Sequence, residues 1–184
     1  MYHAKLLVVL LLLHTAGSAV QGQTNSRGFV PQPDVDVYQA VLSIRDSEGD
    51  RAATILEWTI RDVGDGRKPK ENLAAVRGVF PELQDDTARS FLESNSRTFL
   101  VPVGTLSSSL PVPDEHFSLQ RASFLSFSRV GFDRTGTQAF LYCEWEGTGS
   151  GIGTYYLFSR VPGGSWLLEY RHAGWRSRKT RAVL

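Results

Sequence analysis

The order of apolar and polar positions changes character along the chain. Residues 6–13 are an unbroken apolar run behind a short start that carries Lys5, and small residues follow at 16–19. A basic start, a short apolar run and a small-residue exit are the parts of a secretory signal peptide. The run falls short of the roughly 20 apolar residues that span a bilayer. Residues 1–22 are therefore read as a signal peptide cleaved between 19 and 22, and 23–33 as a flexible leader. The expected destination is the periplasm or the extracellular space.

Helical spacing of Val37, Tyr38, Val41, Leu42 and Ile44 predicts a helix over about 35–45, capped by Asp34. The period then changes. Leu56, Trp58 and Ile60 alternate with Glu57, Thr59 and Arg61, as in a half-buried strand over 52–61. Pro69 suits the start of a second helix, which offers Leu73, Val76 and Val79 and stops at Phe80-Pro81. Asp85 or Asp86 caps a third, over about 87–95, with Ala88, Phe91 and Leu92 for a core. Residues 102–114 hold three prolines and three serines and read as an internal loop. Four strands follow, over 123–132, 138–146, 154–160 and 166–173, joined through turns at 133–136, 147–153 and 161–164. Helices first and strands second predict an α+β fold: a curved antiparallel meander of four or five strands with about three helices packed on one face. A single domain is expected over 34–175, with a basic tail at 176–184.

Pairing the strands through those turns sorts side chains onto two faces. Leu125, Phe127, Leu141, Cys143, Trp145, Leu157 and Leu167 suit a face under helices. Phe140, Tyr142, Glu144, Tyr156, Phe158, Tyr170 and His172 form an aromatic face with polar tips. In this register Glu144 stands opposite Tyr156, which neighbours Tyr170, with His172 one step further. Glu144, Tyr156, Tyr170 and His172 are thus the candidate ligand-binding residues. A carboxylate, an imidazole and two phenols in one cleft can hold a polar ligand or exchange a proton. A solvated sheet surface would carry the same residues.

Charge narrows the partners. Lys5 is the only charged residue of the first 22, so the rest holds 19 basic and 19 acidic side chains. A nucleic-acid binder shows a basic surplus, and none is expected to bind here. The local exception is the C-terminus, where Arg171, Arg176, Arg178, Lys179 and Arg181 follow the last acid, Glu169. Such a tail can be simply solvated, or can make weak contact with an anionic surface. Past the signal peptide no later apolar stretch suits a transmembrane segment.

Candidate chemistry is sparse. Cys143 is the only cysteine, and its apolar alternation points to a buried side chain rather than a reactive thiol. Beyond residue 22 only His116 and His172 are histidines, too few at ligand spacing for a metal, and no cofactor is expected. The glycines of 147–153 precede a strand instead of the helix a phosphate loop needs, so they read as hairpin residues.

From Phe127-Ser-Arg-Val-Gly-Phe-Asp133 through 138–142 (Gln-Ala-Phe-Leu-Tyr) and 151–157 (Gly-Ile-Gly-Thr-Tyr-Tyr-Leu) to Trp166 and Trp175, the chain resembles a recurring pattern of small exported bacterial proteins. Residues 80–87 (Phe-Pro-Glu-Leu-Gln-Asp-Asp-Thr) are similar to the same group. The shared tokens are aromatic, glycine and turn residues, so the resemblance implies a fold and brings no activity. Many members of the group look to carry a Cys-x-x-x-Cys loop where this chain has 147–153, and its absence here implies that the fold does not depend on it. Two classes of function remain: a non-catalytic exported binding or envelope-associated module, or a small hydrolase using an aromatic-lined cleft with Glu144 and His172.

Overall fold

The structure, a computed structural model, describes residues 28–48, 54–60, 74, 77–106, 123–147 and 150–178. The predicted signal peptide, residues 23–27 of the predicted leader, most of the predicted second helix, 107–114 of the predicted loop, His116 and 179–184 of the predicted tail lie outside them. Helix α1 spans Gln32–Ser47 and α2 spans Asp85–Ser94, with a further helical turn at 77–79. The strands are β1 (Thr54–Ile55), β2 (Phe124–Phe127), β3 (Gly131–Phe132), β4 (Gln138–Gly147), β5 (Ser150–Arg160) and β6 (Trp166–Arg178). They form one open sheet in the order β1-β2-β4-β5-β6, with β3 also on β4. Among the described strands only the β1–β2 pair is parallel. The fold is α+β, with a mostly antiparallel sheet of six strands where four or five were expected.

Alternate residues of β4 serve two cores. Ala139, Leu141 and Cys143 join Leu125, Phe127, Tyr156 and Phe158 beneath Val37, Tyr38, Val41 and Leu42 of α1. Tyr38 stacks on Phe127 with 4.4 Å between ring centres. Phe140 and Tyr142 join Tyr155, Leu157, Phe80, Leu83 and two residues of α2, Ala88 and Phe91. The first set defines the α1 face of the sheet and the second the α2 face. Cys143 is buried, as its alternation predicted.

The predicted strand 123–132 is broken at 128–130, and the break satisfies polar groups that a straight ladder would pair. The Ser128 N–H still donates to the Tyr142 carbonyl. The Arg129 N–H turns to the Asn95 side chain at 2.7 Å, and the Val130 N–H to the Asp34 carboxylate at 3.1 Å. The Arg129 guanidinium donates to that carboxylate at 2.6 Å, and the Tyr38 hydroxyl to the Ser128 carbonyl at 2.7 Å. Asp34 is therefore no helix cap. It lies inside α1, 1% exposed, where burial lifts its carboxyl pKa against the pull of Arg129 and the Val130 N–H.

Several boundaries move for similar reasons. Gly28 to Val30, expected in the leader, are tied to Leu100 by backbone hydrogen bonds, and Val30 is buried. The strand expected over 52–61 is reduced to Thr54–Ile55 and two isolated bridges at Trp58 and Ile60. Its inner residues are Ile55 and Thr59, whereas Leu56 and Trp58 are each 39% exposed. Val79 is equally exposed and makes no core. Helix α2 opens at Asp85 behind Gln84, without a side-chain cap. Residues 176–178, read as tail, continue β6.

Candidate functional site

Helix α1 lies on the sheet from the Asp34–Arg129 pair at its start to Glu48, its C-cap residue. Where the end of α1 meets β5 and β6, a cavity of about 330 Å³ opens among the described residues. Arg45 enters it from the last turn of α1, on the stripe that buries Val41 and Leu42. Arg171 enters from β6, opposite Tyr156, and Arg176 from further along β6, opposite Ile152. Thr154 and Ala173, themselves a cross-strand pair, line its wall.

The polar groups of this cleft are coupled. The Arg45 side chain hydrogen-bonds Tyr156. Arg171 donates to Glu48 at 2.5 Å, in a pair whose side chains are half exposed, so the contact itself is worth little. Burial pushes the Tyr156 hydroxyl up to about 12, against the opposing pull of Arg45 and Arg171. Three guanidiniums and the Glu48 carboxylate line the cleft. The C-terminal end of α1 carries partial negative charge, which favours the placement of Arg45. The Glu48 N–H and the Ser47 hydroxyl donate to carbonyls of its last turn.

The sheet divides the four predicted site residues. Tyr156 lies on the α1 face, in the cleft. Glu144, Tyr170 and His172 fall on the α2 face, because Glu144 pairs with Gly153, Leu157 with Tyr170, and Tyr155 with His172. The expected pairing of Glu144 with Tyr156 is corrected by the β4–β5 hairpin. Residues 150–153, read as loop, are the start of β5, and Gly147 pairs with Ser150. Moving the partner of Glu144 from Tyr156 to Gly153 is a shift of three residues, and an odd shift exchanges faces. Tyr156 and Phe158 thereby pass to the α1 face, and Leu157 to the α2 face. Leu167, expected in the core, is 53% exposed.

On the α2 face Glu144 accepts a 2.7 Å hydrogen bond from the Tyr142 hydroxyl. Tyr142 packs on Tyr155 with 4.7 Å between ring centres, and Tyr155 pairs with His172. Tyr170 and His172 both meet the edge of Phe80, each at 6.3 Å. His172 is two strands away from Glu144 and one cross-strand pair out of line, a Cα separation of ~12 Å from strand spacing. Two tyrosine rings stand between them. Their arrangement packs aromatic surface and leaves no carboxylate–imidazole contact.

The residues that sequence reasoning missed are the arginines of the cleft. Arg45 carried a signal, since a charge three or four places after Val41 and Leu42 stands on the apolar stripe of its helix. Arg171 and Arg176 carried none beyond their count, because their meeting with Arg45 depends on strand register. Among the described residues no group of three His, Cys, Asp or Glu side chains could hold a metal. No helix of the described residues is long and apolar enough to cross a membrane. In comparisons with known proteins the chain matches no family model, no curated protein and no solved structure.

Proposed function

We propose that the protein is an exported, non-catalytic binding module whose ligand enters the cleft at the end of α1. One observation carries this reading. The cleft is furnished with three guanidiniums, one of them paired with Glu48, a threonine, and a phenol whose pKa is pushed up to about 12. Guanidiniums stay protonated and the phenol stays neutral near neutral pH, so these groups hold and orient a ligand without exchanging protons with it. The volume, about 330 Å³, lies at the small end of the range for small-molecule sites. The hydrolase reading has less behind it, because Glu144 and His172 stand apart on the other face.

Two experiments test the two halves. Protein recovered from producing cells should begin near Val20 or Gln23, and an intact Met1 on membrane-bound protein would contradict export. A thermal-shift screen of the purified protein should find compounds that stabilise it and lose their effect in Ala173→Trp, which fills the cleft. Mass spectrometry should recover those compounds unchanged. Stabilisation that survives the filled cleft, or turnover of a compound, would overturn the binding reading.

A further inference from the structure

The guanidiniums of the cleft are not equally occupied. Arg45 is engaged with Tyr156, and Arg171 with Glu48. Arg176 stands apart: it is exposed, and no carboxylate among the described residues pairs with it. A guanidinium presents its N–H donors as a rigid fork, which a carboxylate matches with both oxygens. Arg176 stands opposite Ile152, and the next pair on the same face is Thr154 with Ala173. Tyr156, opposite Arg171, follows on that face. From Ile152 to Thr154 the wall runs for about 7 Å along β5, the length of a chain of about five carbons. Ile152 and Ala173 are apolar, so an aliphatic body gains by covering them. At the far end stands Glu48, the single acid among the lining residues, which repels a second negative charge on the ligand.

We infer that the cleft binds a short aliphatic monocarboxylate, its carboxylate on Arg176 and its carbon chain against Ile152, Ala173 and Thr154, pointing toward Tyr156. This rests on the binding reading above and adds the ligand class. Glu48 sets the specificity. It holds Arg171 and disfavours a carboxylate at the far end of the chain, so a dicarboxylate of the same length is rejected. Removing its charge frees Arg171 and admits the dicarboxylate, a change of preference that a merely structural ion pair would not give.

The test is calorimetric titration of the purified protein at low ionic strength and neutral pH, with pentanoate, glutarate, pentylamine and glucose as probes. Pentanoate should bind, and glutarate and pentylamine should bind about tenfold more weakly or less. Arg176→Ala should weaken pentanoate about tenfold or more, since it removes the charged half of the contact. Glu48→Gln should narrow the gap between pentanoate and glutarate, and Glu144→Gln should leave pentanoate unchanged. Failure of pentanoate to bind, binding indifferent to Arg176, or a gap indifferent to Glu48 would overturn the inference. Binding of glucose or pentylamine in its place, lost in Ala173→Trp, would overturn the monocarboxylate while leaving the binding module standing, so the two failures are distinguishable.

Discussion

Arg129 is 9% exposed and Asp34 only 1%, yet both are charged. Each is tolerable because of the other, since an isolated buried charge is costly and a hydrogen-bonded pair is not. Around them Asn95 accepts from the Arg129 N–H and donates to the Arg129 and Phe91 carbonyls at 3.0 and 2.8 Å. Serine, arginine and glycine of the 127–133 segment thus have structural work: Ser128 and Arg129 close a polar network, and Gly131 admits a helix. Removing one partner leaves the other charge uncompensated, so Arg129→Ala or Asp34→Ala should each cost about 3–5 kcal/mol in urea unfolding. The double variant should cost less than the sum of the two, because its last charge is gone. Additive losses would show that the pair is not coupled.

Tyr156 gives a pH signature at the same scale. Its folded pKa of about 12 stands above the unfolded phenol value of about 10. The folded state then keeps its proton where the unfolded state has lost it. The stability this contributes is fully present below the unfolded value and is lost as pH rises through the folded one. In a native tyrosinate absorbance titration, the difference between the wild type and Tyr156→Phe should have its midpoint near 12. A midpoint near that of a free phenol would place Tyr156 in solvent, outside the cleft described here.

Among the elements, α2 shows how closely backbone can approach backbone. A side-chain carbon added at Gly131 would lie 2.5 Å from the Phe91 backbone nitrogen and from the Thr87 carbonyl oxygen. Gly131→Ala must therefore push α2 off β3, and a loss of several kcal/mol in unfolding free energy is expected, at the high end for single substitutions. Gly136 sits in open space at φ +68°, in the turn that Asp133 closes by accepting from the Thr137 and Gln138 N–H groups. Gly136→Ala meets only the backbone penalty, about 1 kcal/mol. Equal losses at the two glycines would contradict the packing of α2.

What the sequence made legible at this scale follows from where periodicity is long. The 3.6-residue stripe of α1 and the alternation of 138–146 were sufficient to assign both elements, the burial of Cys143 and the α+β class. Short pieces were not legible. Alternation over 52–61 resembles a strand, but only two residues of it pair with β2, and the side that turned inward was Ile55 and Thr59. The hairpin after β4 misled for a different reason: four glycines in 147–153 look like a loop, and a ladder of backbone hydrogen bonds does not require side chains. Because that misreading displaced the register by an odd number, a single turn decided which face received Tyr156. The candidate site was half legible in consequence, with Tyr156 identified and its companions assigned from the wrong face.

For the whole molecule, the near balance of basic and acidic residues conceals a local gathering of arginines. The C-terminal arginines, read along the chain, suggest a solvated tail or a weak contact with an anionic surface. In the fold, Arg171 and Arg176 lie on β6 beside the end of α1, and their charge is directed into a cleft with Arg45. The sheet separates this cleft from the Glu144–Tyr142–Tyr155 cluster, so a ligand bound on one face leaves the other untouched. Heteronuclear NMR of the protein titrated with a compound that stabilises it in the thermal-shift screen reads both faces at once. The expected result is movement of the Arg45, Arg171 and Arg176 side-chain Nε–H resonances, with the Tyr142 and Glu144 amides unmoved. Shifts confined to Tyr142 and Glu144, with the three arginine resonances unchanged, would contradict the assignment of the site to the end of α1.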